Sequence, residues 1–286
     1  MIFNKKRFKR ELQIKGYTNS SIQTYIRGID SFEEWIKQEK TNGNESNTKL
    51  AFNYLKFIKK KSNNYSTIYL GIQPLKLYFK FFKKNNPFQF LLIKKVEAKI
   101  ISKFFDKDYL EGVYDIFPQN TITEIRDKVL LGLYVFQGVK SSEAKTIELT
   151  DLDMSEYKLL LRGNNLTNQR KIRLNIKQIL LLSEYLNIRN KKLLKNYKTS
   201  KLIVVSDSKF AVQNLLQRVS EKLRKDNSEF EALYQIRASV IHNWVKEHGL
   251  RKAQYLSGHK YISTTEKFIV KDLSVLQKEV DKFFPF

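Results

Sequence analysis

Side chains that can bind a phosphate gather in four segments of this 286-residue sequence. The first is Gly138-Val139-Lys140-Ser141-Ser142-Glu143. The second is Arg162-Gly163-Asn164-Asn165, leading on to Arg170-Lys171-Ile172-Arg173-Leu174. The third is Tyr234-Gln235-Ile236-Arg237-Ala238-Ser239, and the fourth runs from Leu256-Ser257-Gly258-His259 to Phe268. Arginine, lysine and histidine offer N–H donors to an oxyanion, arginine in a planar fork that matches two oxygens at once. Such donors neutralise the charge that builds on the equatorial oxygens when a phosphodiester is displaced. Taken singly, each residue also has a plainer reading. Arg237 fits a surface ion pair, His259 a structural histidine, Lys140 a solvated lysine and Asn165 a turn residue. His242 and His248, on the helix expected over Val240 to Glu247 and at its cap, read as structural.

The elements expected to hold these segments are mostly helices. Lys6 to Lys37 reads as helix interrupted at Gly16, with Thr18-Asn19-Ser20 supplying N-cap oxygens before an apolar face of Ile22, Tyr25, Ile29, Phe32 and Ile36. Leu50 to Lys60 and Ser66 to Lys83 follow as helices. Pro74 inside the latter predicts a kink or a break. Asn85-Asn86-Pro87 closes the block. The division is therefore 1–90 as a small, helical, basic unit, 91–104 as a basic linker and 105–286 as a second domain with a C-terminal tail. In that domain Ile125 to Gln137 reads as an apolar core helix. Leu159 to Leu161 and Lys171 to Leu174 read as two strands around a polar turn. Helices are expected at Lys177 to Glu184, Lys209 to Lys225, Ala232 to Lys246, Arg251 to Leu256 and after Ser263.

Composition points the same way. Fifty-three Lys and Arg against 29 acidic residues leave a formal charge of +24. A surface so basic attracts polyanions, nucleic acid above all. A Lys-, Asn-, Ile- and Phe-rich proteome would raise the same counts. Absence of Cys excludes a disulfide framework, a thiolate metal site and a Cys nucleophile, and no Cys/His or carboxylate cluster calls for a metal. The opening MIFNKKRFKR is too short in apolar residues for a signal peptide. No run approaches the roughly 20 apolar residues of a membrane span. A soluble, cytoplasmic protein without membrane partners is expected.

In this order the four segments resemble the catalytic domain of the tyrosine recombinase, or phage-integrase, family, over roughly Lys128 to Asp281. The helical unit before it matches the family's core-binding domain in size and position. GVKSSE is similar to the family's G-L-R-x-S-E box, whose Arg clamps the scissile phosphate. Lys140 stands there, keeping the charge and losing the fork. The hairpin resembles one whose tip carries a general-acid Lys. Counted back from the second strand, Asn165 takes that place, and an amide is no acid. YQIRAS is similar to H-x-L-R-H, so Arg237 matches the second phosphate-binding Arg and Tyr234 replaces a His. LSGHKYISTTEKF looks like L-G-H-x-x-I-S-T-T-x-x-Y. His259 then matches the phosphate-bonding His, and Phe268 stands where the family has its nucleophilic Tyr. Only Arg237 and His259 keep the family residue.

The resemblance implies a mainly α fold with a small β-hairpin or sheet, two domains closing as a C-shaped clamp on DNA, and no cofactor. It implies a DNA-binding protein of recombination or integration on a mobile element. The partner would be double-stranded DNA with inverted-repeat half-sites. Dimers or tetramers would form through the tail Asp272 to Phe286, where Leu273, Leu276, Val280, Phe283 and Phe284 lie at helical spacing. Without a Tyr at 268 the chain is expected not to cut DNA, and to serve beside an active recombinase. Two alternatives stay open: an active recombinase or integrase whose Tyr was engineered to Phe268, and a general basic nucleic-acid-binding protein. Expected DNA contacts are Lys56, Lys59, Lys60, Lys61, Arg162, Arg170 and Lys171, although the lysine run also fits a solvated helix face. Tyr261, two residues after His259, is a replacement nucleophile only from a different backbone position.

Overall fold

Apolar residues at helical spacing close four helices around a ring-rich core in the first of two units, Met1–Ile100 and Ile101–Phe286. The computed structural model describes residues 3–39, 47–82, 85–93, 103–189, 199–205 and 211–269. The first unit holds α1 (Lys5–Ile14), α2 (Asn19–Gln38), α3 (Asn47–Lys61) and α4 (Tyr65–Phe81). Gly16 breaks α1 from α2 at φ 76°, and Thr18 Oγ1 caps α2 by accepting Ser21 N at 3.3 Å. Phe32 of α2 sits 4.7 Å from the Tyr54 ring and 5.3 Å from that of Phe88. Pro74 does not break the helix: α4 runs through it from Tyr65 to Phe81. The proline packs onto α2 where it meets no side chain: a Cβ on Gly28 would lie 2.8 Å from Pro74 Cγ and 2.9 Å from Leu70 O.

The second unit is built on α6 (Ile122–Gln137), buried on nearly every face and therefore a core helix. A capping box between Thr121 and Glu124 starts it, and Gly138 ends it in the left-handed region at φ 52°. Around it stand α5 (Lys107–Ile116), the single turn α7 (Ser141–Ala144), α8 (Ile176–Ile188), α9 (Ala211–Asp226), α10 (Leu233–Ser257) and α11 (Ile262–Glu266). The helices expected at 232–246 and 251–256 are both present as the two arms of α10, separated by a kink at Gly249 (φ 76°, ψ 168°), which lies outside helical geometry. The hairpin is present and gains a third strand. β1 (Leu152–Asp153), β2 (Lys158–Leu161) and β3 (Arg170–Arg173) form an antiparallel sheet in that order, with Leu159 opposite Ile172 and Leu161 opposite Arg170. β1 has only two residues, too few for any alternation to be visible in the sequence. The fold is thus mainly helical with one small sheet, as expected.

Among the described residues no helix is long and apolar enough to cross a membrane, and no His, Cys, Asp and Glu cluster could hold a metal. Most of the expected linker, and the tail Asp272 to Phe286, lie outside the described residues.

Candidate functional site

Four pieces of chain meet in the second unit: the exit of α6 at Gly138 to Lys140, the start of β3, the first turns of α10, and the turn from Ser257 to His259. Glu143, one turn into α7, ties them together. Its carboxylate accepts two bonds from the Arg170 fork, at 2.7 Å and 3.0 Å, and a third from the Lys140 backbone N at 2.8 Å. Burial alone would raise the Glu143 pKa. The Arg170 fork and the Lys140 N–H outweigh it and hold the carboxyl below its ordinary range.

Arg237 lies beside this pair, 3.8 Å from Glu143 Oε2, with only 8% of its surface exposed. Its guanidinium donates to Gly138 O and, at 2.8 Å, to Ser257 O. Gly138 and Ser257 close α6 and α10, so Arg237 satisfies carbonyls that helix ends leave open. Burial, joined by the like charge of Arg170, brings its pKa down to about 10. The Lys140 ammonium is half-buried, and burial together with Arg237 lowers its pKa too.

His259 follows Gly258, whose φ of 69° turns the chain at the end of α10. Only glycine fits there, because a Cβ would lie 2.5 Å from Arg170 Nη1. The turn is held by His259 N to Gln254 O at 3.1 Å, and the hairpin docks on it through Asn168 N to Gly258 O at 3.0 Å. His259 Nδ1 is 3.0 Å from Thr265 Oγ1. Burial, then Arg237, Lys140 and Arg170, bring its pKa down to about 3, so the imidazole is neutral. The Phe268 ring stacks on it, 5.8 Å between centroids and 16° between planes.

Of the residues expected at the site, Lys140, Arg237, His259 and Phe268 are brought together. Tyr234, in the first turn of α10, is 53% exposed and donates its hydroxyl to Glu231 at 2.5 Å. Asn165 is exposed in the hairpin turn, which is closed by its neighbour Asn164, whose side chain accepts from Leu166 N and Thr167 N. Arg170, expected to reach DNA, points inward instead. The two-residue period of β3 puts it on the same face as buried Ile172, and it donates to Glu143 and to Leu256 O. Arg162 is half-exposed and bonded to Asp151 at 2.7 Å and Glu148 at 3.2 Å. Lys171 is exposed. In the first unit Lys56, Lys59, Lys60 and Lys61 are all exposed on α3, with Lys61 Nζ 4.2 Å from the Phe57 ring centre. Tyr261 is 68% exposed, and the ring that meets His259 is Phe268.

Reading single segments missed three contributors. Glu143 was visible only as the last letter of its box. Thr265 was one of two adjacent threonines with nothing to distinguish them. His242, read as structural, is so in a specific way: its Nδ1 donates to Phe268 O at 2.8 Å while its ring stacks on Phe104, 4.6 Å between centroids. The assembled site offers an oxyanion the Lys140 ammonium, the Arg237 guanidinium and a neutral imidazole. The ring beside the imidazole carries no hydroxyl.

The model of the phage integrase family matches residues 103–273. A tyrosine recombinase XerC of Staphylococcus haemolyticus is 27% identical over 157 residues, 52% of this chain and 52% of its own length. One of Bacillus subtilis is 29% identical over 168 residues, 55% of this chain and 54% of its own. The chain thus spans about half the length of these two relatives in the match. One of Thermodesulfovibrio yellowstonii is 24% identical over 287 residues, covering 95% of this chain and 92% of its own. Among solved structures, XerH recombinase bound to difH in a pre-cleavage complex superposes with a TM-score of 0.70 at 17% identity, covering 90% of this chain and 78% of that one. The Tn1549 transposon integrase with circular intermediate DNA gives 0.68 at 16%, covering 98% and 99%. These structures share the fold.

Proposed function

Since this chain belongs to the phage integrase family, we propose that it acts in DNA recombination by binding duplex DNA and leaves strand cutting to another protein. The observation that carries the reading is the Phe268 ring stacked on His259. The family's chemistry needs a phenol at this point to attack phosphorus and form a 3′-phosphotyrosyl link. A phenyl ring keeps the packing and has no oxygen to attack with. Lys140 and Asn165 depart from the family pattern as well, and these departures together accord with a chain that has given up cutting more than with a single substitution.

Binding remains well served. Arg237, Lys140 and neutral His259 form a donor set for one phosphate. The exposed lysines of α3 offer contacts that position a duplex without reading its sequence. Affinity should fall steeply with salt as counterions are released. The natural target is a pair of inverted half-sites occupied by two or four protomers, with an active recombinase as the cutting partner.

The test is an adduct assay on duplexes nicked near the centre of a candidate site, which trap a covalent intermediate. The chain should retain the duplex and give no denaturant-resistant protein–DNA species. An adduct formed by the unaltered chain would overturn the reading, and Tyr261→Phe would then be the first substitution to make. Phe268→Tyr asks how much of the cutting site survives around the missing hydroxyl.

A further inference from the structure

Thr265 and His259 form a buried pair whose protons can be placed by elimination. Thr265 is fully buried in α11, and its Oγ1 lies 3.0 Å from His259 Nδ1. A threonine in a helix commonly bonds the carbonyl one turn back, as Thr24 does with Ser20 O at 3.0 Å. Thr265 makes no such bond, and Nδ1 of His259 is the hydroxyl's one partner among the described residues. Were Nδ1 the donor, the threonine proton would be buried with no acceptor, a costly arrangement. The hydroxyl therefore donates and Nδ1 accepts.

A neutral imidazole carries one N–H. With Nδ1 accepting, the proton sits on Nε2, which has no hydrogen-bond partner among the described residues. An Nε2–H is a donor, the form a phosphate oxygen requires; the opposite tautomer would present a lone pair to an anion. We propose that Thr265 is a positioning residue that holds His259 in the Nε2–H tautomer, so that the imidazole meets a phosphate as a neutral hydrogen-bond donor. The surrounding charges agree. Lys140, Arg170 and Arg237 disfavour a second proton on the ring, with Glu143 the one opposing group. The ring thus works by tautomer and not by charge. His242 supplies the contrast: its Nδ1 faces the carbonyl of Phe268, which can only accept, so it carries the proton on Nδ1. The two buried histidines thus use Nδ1 in opposite roles, one accepting and one donating.

The phosphate role rests on the functional reading above, while the tautomer can be measured without DNA. The sequence has only three histidines, His242, His248 and His259, so long-range proton–nitrogen spectra of histidine-labelled protein can be assigned by substitution. The expected result is His259 protonated on Nε2 alone, and His242 carrying a proton on Nδ1. In Thr265→Val, which keeps the shape and removes the hydroxyl, His259 should become a mixture of tautomers. Thr265→Ser should restore the single form. Affinity for a duplex carrying the site should fall about three- to tenfold in the valine variant and recover in the serine variant, the range of one hydrogen bond. His259 protonated on Nδ1 in the unaltered protein, or a tautomer indifferent to Thr265→Val, overturns the proposal. The expected spectra with unchanged affinity would uphold the tautomer assignment and count against a phosphate at this site.

Discussion

On α3, Lys56, Lys59 and Lys60 stand in solvent with no carboxylate paired to them among the described residues, whereas in the second unit Arg170 and Arg237 are buried against Glu143 and main-chain carbonyls. The same formal charge does different work in the two places. Exposed ammonium groups are screened within about 10 Å at moderate salt and attract a polyanion without fixing its position. A buried guanidinium has lost most of its hydration, so its place is dictated by the few acceptors that compensate it. Arg170 is consumed in this way and belongs to the framework. Arg237, beside it, is likewise bound to Gly138 O and Ser257 O, and the half-buried Lys140 ammonium completes the group.

This contrast can be broken most directly at Arg170. Arg170→Met strips Glu143 of its fork and leaves a buried carboxylate, so urea denaturation should show a loss of about 3–5 kcal/mol. A loss below about 1 kcal/mol would place Arg170 among the surface cations and dissolve the distinction. Gly258→Ala comes next. It forces a Cβ against the same guanidinium at a positive φ, and a cost of about 1–3 kcal/mol is expected for the backbone alone.

A smaller effect is set by pH. The folded pKa of His259 is about 3 against an ordinary 6.5, so between those values the unfolded chain binds a proton that the folded chain refuses. Stability from this residue is complete above the ordinary value and drains away as pH falls, by at most about 1.4 kcal/mol per pH unit. Denaturation midpoints measured from about pH 6.5 to about pH 5 should fall more steeply for the unaltered protein than for His259→Asn. Equal slopes would mean that the imidazole is not held neutral.

The smallest change in stability is expected on α3. Lys59→Ala with Lys60→Ala should alter it by no more than about 0.5 kcal/mol. The slope of log affinity against log salt should nonetheless become shallower by about 0.9 for each phosphate that the two lysines had neutralised. An unchanged slope would identify α3 as an ordinary solvated face and leave the second unit as the seat of DNA binding.

Helix spacing made α2 and α6 legible from the sequence, because each buries an apolar stripe or surface that recurs at the helical period. The hairpin was legible from two short apolar runs around a polar turn. That His259 and Phe268 belong to one site was implied by the family resemblance of their segment, and the structure stacks the two rings. The inward face of Arg170 was not legible: the sequence puts the strand at Lys171 to Leu174 and makes Arg170 a DNA contact, and its two-residue phase with Ile172 appears only with β3 running Arg170–Arg173. Other features were decided only by the tertiary structure. Glu143 and Arg170 are 27 positions apart, and Arg237 reaches Gly138 O across 99. No local pattern reports such pairings. Tyr234 lies three residues from Arg237, yet it takes the exposed side of α10 and bonds Glu231. Sequence alone determined which side chains could serve a phosphate and that the ring at 268 has no hydroxyl. Tertiary structure decided which charges are spent inside the protein and which stay in solvent, because a buried charge must find its partners wherever the fold has placed them.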